Sequence, residues 1–501
     1  MSENFDVREI TISEVQDAYR AGTVTVAAVV QAYLSRIDAI DRNGATLNSI
    51  VALSPSATAD AANLDAYFAE NGQLFGPLHG VPVLVKDQVE VGGMPTSYGS
   101  EIAAEFVPEE DSAVVARLRA AGAIIMGTTT MPDFATSWFS TSSRSGTTKN
   151  PYDLDRDPGG SSSGSAASIA ANLSLVGIGG DTGGSIRLPA SFCNLVGLRV
   201  TPGLISRVGM SALVKPQDTP GPMTRTVEDA ARVLDVLAGF DPADSYTSVN
   251  RVARHSGSYT DGLSESTMAG KRVGVLREAF GDEADVDGAR VNVVLEQTLT
   301  KLRSAGGETI DVHVDDLMHL VGFTSVYNTR SHEDMDKFFA TRPGTGITGM
   351  SDVIASGRFH PKLDLLIGIA ASPEDPAEDP EYVERILVQQ KFQRTVVSLM
   401  EEMNLDAIVF PDAKLPAPTR TDVFADRWTC LTYPTNTVIA SQLHFPAITV
   451  PVGFTDNGLP VGLEIMSAPY DEQRLLGVAA AVEKATTARR SPEPTLAATD
   501  N

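Results

Sequence analysis

Cysteine is nearly absent: Cys193 and Cys430 are the only two in 501 residues. Two thiols so far apart build neither a disulfide framework nor a zinc site. They suit a reducing compartment, so the expected location is cytoplasmic, with both as small core residues. Long apolar runs are also missing. No stretch approaches the roughly 18 residues of a membrane span, and the start, MSENFDVREI, has neither the basic n-region nor the apolar h-region of a secretory signal. Positive charge is short, with 39 Lys and Arg against 64 Asp and Glu, a net charge of −25. That balance disfavours nucleic-acid backbones and anionic membranes as partners. Histidine is scarce, seven in all. His332-Glu333 begins like a zincin helix, but position 336 is aspartate. Gly177-x-Gly179 is followed by Thr182 where a dinucleotide fingerprint needs glycine, and no P-loop ending occurs. No metal and no cofactor are therefore expected.

What is present is ordinary for a globular chain, 42% apolar and 21% charged. The length fits several domains or one large α/β unit with insertions. The first 70 residues read as helices: Thr11 and Glu14 form a capping box, Thr25 starts a second run ending near Asn43-Gly44, and a third covers Ala57 to Glu70. Then strands and helices alternate. VPVLVK (81–86), AIIMGTT (123–129), RVGVLRE (272–278), TIDVHV (309–314), DAIVFP (406–411) and PAITVPVGF (446–454) read as strands. Helices are expected over 111–122, Val227 to Leu237, Val291 to Leu302, most of 315–400 apart from a loop at 372–381, and Asp471 to Ala485. The tail from Ser491 is expected to be disordered. Alternation of this kind predicts an α/β layered fold with helices covering a central sheet.

The chemistry concentrates in residues 159–187, GGSSSGSAASIAANLSLVGIGGDTGGSIR, with seven serines and no histidine. Gly160-Ser161-Ser162-Ser163-Gly164 fits a nucleophile elbow, which would make Ser162 the nucleophile of an esterase-type hydrolase. An elbow needs an apolar strand just before it, and NPYDLDRDPGG (150–160) is polar and broken by proline and glycine. A flexible linker fits no better, because the serines run directly into an apolar helix-then-strand pattern. Two Gly-rich turns joined by one helix and one strand bring their serines together, at a strand end where sites of open α/β sheets sit. A serine nucleophile needs a base. Lacking histidine, the candidate is a lysine kept neutral by burial, and Lys86 ends an apolar strand.

These pieces together resemble the amidase signature family. The resemblance is carried by GPLHGVPVLVKD (76–87), SAVVARLRAAGAIIMGTT (112–129), PGGSSSGSAASIAA (158–171), GGDTGGSIRLPASFCNLVGLRVT (179–201), GPMTRTVEDAARVLD (221–235) and FPAITVPVGFTDNGLPVGLEIM (445–466). It implies one large α/β/α domain with a central mixed sheet and a Ser–cis-Ser–Lys triad. Ser185 would be the nucleophile, Ser161 the bridging serine joined to Gly160 by a cis peptide, and Lys86 the terminal base. Backbone N–H groups of Thr182, Gly183, Gly184 and Ser185 would form the oxyanion hole, braced by Asp181 and Arg187. Phe134, Ala135, Trp138 and Phe139 fall where family members supply pocket walls. The resemblance divides the chain into an N-terminal helical segment (1–74), a signature core (75–235), a variable region with a helical insertion roofing the pocket (236–405), a C-terminal part of the same domain (406–490) and the tail (491–501). Departures from the family's usual text fall at Ser163, Gly180, Asn194 and Gln88.

The family also contains the glutamine-hydrolysing subunit of a tRNA-dependent amidotransferase. Residues 427–450 lack that subunit's acidic and tyrosine-bearing pattern, and the charge suits work beside tRNA poorly. The expectation is a free-standing amidase acting on a small-molecule amide, aryl amide or carbamate. Partner subunits, an esterase working through Ser162 and a non-catalytic scaffold stand as alternatives. No nucleic acid and no membrane partner are expected, and a homodimer is left open.

Overall fold

The structure, a computed structural model, describes residues 5–253 and 257–497. Its centre is an eleven-stranded mixed sheet. The strands in chain order are β1 (Ile50–Leu53), β2 (Pro82–Lys86), β3 (Ile124–Thr129), β4 (Thr141–Ser142), β5 (Gly146–Thr147), β6 (Val176–Asp181), β7 (Val196–Arg199), β8 (Thr219–Thr224), β9 (Arg272–Leu276), β10 (Glu308–Val312), β11 (Ala407–Pro411), β12 (Ala447–Phe454) and β13 (Pro460–Met466). β4 and β5 form a separate two-stranded ribbon, and the main sheet runs β1-β3-β2-β6-β8-β7-β12-β13-β11-β9-β10.

The strands expected from buried apolar runs form close to their expected bounds. β2 is buried at all five positions because it lies between β3 and β6, parallel to both, the setting in which strands lose their polar alternation. β8 is a strand that propensity hides. Its sequence, TPGPMT, carries two prolines, which cannot donate to a ladder. Both prolines pair with β6, opposite Gly180 and Ile178, while β7 joins only at Met223 and Thr224. The proline half is thus paired on one side alone.

Helices cover both faces. The Thr11 capping box with Glu14 forms, Thr25 caps its helix, and Gly72 (φ 66°) closes the helix Ala57–Asn71 in the left-handed region. The helix Val227–Leu237 spans the residues expected for it. The largest apolar core lies between the sheet and the helices that include Val29, Leu118, Leu234, Leu295 and Leu475. A second core lies under the helical stretch 327–369, where Tyr98, Phe134, Tyr327, Phe339 and Leu366 meet.

The tail departs from expectation. Its polar composition from Ser491 predicts disorder, yet Glu493–Ala497 is a helical turn. Arg36 pairs with Glu493 at 2.5 Å, and Leu496 is buried beside Ile37, Leu47 and Leu173. The Thr495 hydroxyl adds a bond to the Tyr152 carbonyl at 3.4 Å, and together these contacts dock the segment. The rest of that tail, 498–501, lies outside the described residues. Both cysteines are free and buried, and no helix among the described residues is long and apolar enough to cross a membrane.

Candidate active site

Adjacent parallel strands place the site. β2 and β6 run side by side with Val85 opposite Ile178, so Lys86 and Gly180 emerge together at their C-terminal ends. The segment 130–162 then leads into the helix Ser163–Ala170, which returns the chain to β6. Ser161 and Ser162 therefore sit at the mouth of that helix, over the same strand ends. The Gly160–Ser161 peptide is cis.

Lys86 donates from Nζ to Ser161 Oγ at 2.7 Å and to the Gly180 carbonyl at 3.3 Å. Both Lys86 and Ser161 are fully buried. Burial lowers the Lys86 pKa to about 7, against the opposing pull of Asp181 and Asp218. A buried amine poised near neutrality can accept a proton, which an ordinary surface lysine cannot do at pH 7. Ser185 retains 4% exposure and is the one member of the three that solvent or a ligand can reach. No hydrogen bond joins its hydroxyl to Ser161 among the described residues. The two segments are tied through the backbone instead, by the Ser162 N–H to the Ser185 carbonyl at 3.1 Å.

Ser162 faces elsewhere. Its hydroxyl is fully buried and among the described residues bonds only the Gly180 backbone, donating to the carbonyl at 3.4 Å and accepting from the amide at 3.3 Å. With no hydrogen bond to Lys86 among the described residues and no access, it acts as a strut between helix mouth and strand end.

The Thr182–Ser185 turn is shaped by Asp181. The Gly184 N–H donates to Asp181 Oδ1 at 2.9 Å and the Ile186 N–H to Oδ2 at 3.2 Å. The Gly184 amide, expected among four oxyanion donors, is thus already engaged. The amides of Thr182, Gly183 and Ser185 have no acceptor among the described residues. Gly184 adopts φ 121°, and a side chain there would run into the Thr437 hydroxyl; one at Gly183 would meet the Tyr327 hydroxyl. The glycines let two neighbours press on the turn.

Asp181 is held ionised inside the protein. Burial alone would raise its pKa, but Arg187 and Arg199 beside it drive it well below the usual carboxylate range. Arg187 Nε lies 3.1 Å from Asp181 Oδ2 and Arg199 Nη1 2.9 Å from Oδ1, all fully buried. Arg187 also pairs with Glu464 and donates to the Thr437 carbonyl at 2.8 Å. Burial, opposed by Arg187, and the neighbouring Asp412 carboxyl push Glu464 far up. Burial pushes the neighbouring Asp412 up as well, so Asp181 is the carboxylate held firmly ionised against both arginines. Asp181→Asn keeps the volume but leaves two buried guanidinium groups short of a counter-charge. A loss of about 3–5 kcal/mol of stability is expected, to be measured as a lowered urea midpoint at pH 7.

Of the aromatic wall residues, Trp138 approaches the turn. It is half-buried, and its ring edge would touch a side chain at Gly183. Phe134 and Phe139 are packing residues. Phe134 stacks edge-on against Phe339 and Phe139 against Tyr433, both at 5.5 Å, and Ala135 is buried in the first of those clusters. Gly160 lies flat on the 137–139 backbone. Two departures from the family text explain one another. Gly180 leaves room that a Cβ would take from Gln88 Oε1 and Met210 Cε, so the longer Gln88 and the bare Gly180 fit as a pair. Asn194 sits at φ 54°, a left-handed conformation asparagine tolerates. Ser163 has a buried hydroxyl without a hydrogen bond among the described residues, which leaves this departure unexplained.

Arg199, Glu464, Tyr327 and Thr437 join the site without having been singled out by sequence. Arg199 and Glu464 carry a signal, being charged residues inside the apolar strands VGLRV and VGLEIM, where burial demands a partner. Thr437 carries none.

A family model described as Amidase matches residues 28–476. A glutamyl-tRNA(Gln) amidotransferase subunit from Methanococcoides burtonii is 33% identical over 488 residues, 95% of this chain and 97% of that protein. The solved peptide amidase of Stenotrophomonas maltophilia superimposes with a TM-score of 0.86 at 33% identity, covering 98% of this chain and 99% of that one. The corresponding glutamyl-tRNA(Gln) amidotransferase subunit from Thermotoga maritima gives 0.73 at 25% identity, with 96% of each chain covered.

Proposed function

Since the chain belongs to the amidase family and its fold is that family's single α/β domain, we propose that it is a free-standing amidase in which Ser185 is the nucleophile and Ser161 relays protons to Lys86. The observation that carries this is the 2.7 Å contact from Lys86 Nζ to Ser161 Oγ, made by a buried lysine with a pKa of about 7. Ser185 Oγ attacks the amide carbonyl carbon while its proton passes to Ser161 and the Ser161 proton passes to neutral Lys86. Turn amides stabilise the oxyanion; one well-placed donor of this kind is worth about 3–4 kcal/mol. The proton then returns through Ser161 to the leaving nitrogen, the C–N bond breaks, and an acyl ester remains on Ser185. Water enters, gives its proton along the same route, and releases the acid.

The acyl group is proposed to be uncharged. The aromatic side chains that approach the turn, Trp138 and Tyr327, are neutral. The nearby charges are buried and engaged within the protein, Asp181, Arg187 and Arg199 with one another and Asp218 by the Thr182 hydroxyl and the Leu213 and Val214 amides. Free glutamine carries an ammonium and a carboxylate that need partners of opposite sign. Peptide C-terminal amides, anilides and carbamates do not. The closer superposition on the peptide amidase supports the same side, as does the net charge of −25.

The second reading, a glutamine-hydrolysing protein that works with partners, is favoured by near full-length similarity to the Methanococcoides burtonii protein. Turnover of the purified chain across peptide amides, anilides, carbamates and glutamine separates the two. Hydrolysis of neutral amides without added protein supports the first; glutaminase activity alone supports the second.

A further inference from the structure

We propose that Thr437 is a positioning residue that aims the oxyanion cradle by clamping the Gly183–Gly184 peptide; the inference rests on reading Ser185 as the nucleophile. Two bonds meet on that one peptide unit. The Thr437 hydroxyl donates to the Gly183 carbonyl at 2.9 Å, and the Gly184 N–H on the other side donates to Asp181 Oδ1 at 2.9 Å. A peptide is a rigid plane, so bonds at its two opposite edges leave it no rotation between the flanking Cα atoms. Once that plane is set, ψ of Gly183 and φ of Gly184 are no longer free, which narrows the directions open to the Gly183 and Ser185 amides that flank it.

Thr437 is itself fixed. It is fully buried, its Oγ1 lies 2.8 Å from Thr435 Oγ1, and its carbonyl accepts from Arg187 at 2.8 Å and from Ser441 Oγ at 3.1 Å. Its hydroxyl has a defined acceptor and no access to ligand, which makes its role one of aim rather than contact. The absent side chain of Gly184 is the other half of the device, because any Cβ would occupy the space of the Thr437 hydroxyl.

The test needs no knowledge of the natural substrate. 4-Nitrophenyl acetate reports acylation as a burst of nitrophenolate, and phenylboronic acid forms a tetrahedral anion on a serine that the cradle must hold. Thr437→Val keeps the shape and removes the donor. Its acylation rate should fall about 30-fold, less than the roughly 10²–10³ lost when an oxyanion donor itself is removed. Phenylboronic acid should weaken by a similar factor, while binding of planar benzamide changes by no more than about twofold. Thr437→Ser, which keeps the hydroxyl, should recover acylation to within about threefold of the parent. Parental acylation in Thr437→Val, or an equal loss in Thr437→Ser, would overturn the clamp; so would an equal weakening of benzamide and boronate. Ser185→Ala run alongside separates the two claims: a burst that survives there refutes the nucleophile assignment rather than the clamp.

Discussion

Ser185→Ala is expected to lower amide turnover by about four orders of magnitude or more, with the fold and melting temperature unchanged. The size follows from what the hydroxyl does. Without it no acyl ester forms, and the residual rate is that of water attacking a carbonyl held by the cradle alone, a loss comparable to nucleophile deletion in serine proteases. Stability should hold because the hydroxyl makes no hydrogen bond to the protein among the described residues, and the backbone tie from Ser162 to the Ser185 carbonyl survives the substitution. Ser162→Ala is the control. It removes a strut to Gly180 and leaves the nucleophile in place, so activity should persist. Mass spectrometry after phenyl carbamate treatment should find the adduct on Ser185 in the parent and none in Ser185→Ala. Activity surviving in Ser185→Ala but lost in Ser162→Ala would transfer the assignment to the elbow serine.

Lys86→Met is expected to reduce kcat/KM by about 10³-fold and to erase its pH dependence near neutrality. Only the neutral amine accepts a proton. Its population rises as pH increases through about 7, so the parental kcat/KM should climb about tenfold per pH unit below 7 and level off above it. The direction is set by burial, which disfavours the ammonium. Methionine matches the length and apolar stem of lysine but carries no base, so the limb should vanish rather than move. A parental profile that is flat from pH 5 to 9, or a limb that persists in Lys86→Met, would remove Lys86 from the proton path.

The legible parts of the fold are those where local pattern and tertiary setting agree. VPVLVK reads as a buried strand because it is one, flanked on both sides. The helix Val227–Leu237 is readable from its Thr226 cap and apolar spacing. β8 is not readable, since its prolines argue against a central strand until β7 is seen to pair with only its last two residues. At the site, Lys86 is weak from its own neighbourhood and becomes a strong candidate through ordered resemblance across the chain. Distances of a few ångströms between residues hundreds of positions apart have no local signature. Thr437 and Gly183 are 254 positions apart, and nothing in YPTNTV marks one threonine over another.

The Arg187 network gives the protein a timetable. Arg187 is held by Asp181 at the end of β6 and by Glu464 on β13, 277 positions later. The turn that carries Ser185 is therefore finished by a strand that leaves the ribosome long after the turn itself. A nascent chain that stops short of Thr437 already contains every residue of the proposed proton path and Asp181, yet lacks the threonine on the turn and the Glu464 partner of Arg187. The turn that carries Ser185 thus depends on contacts between distant halves of the chain, at Thr437 and at Glu464.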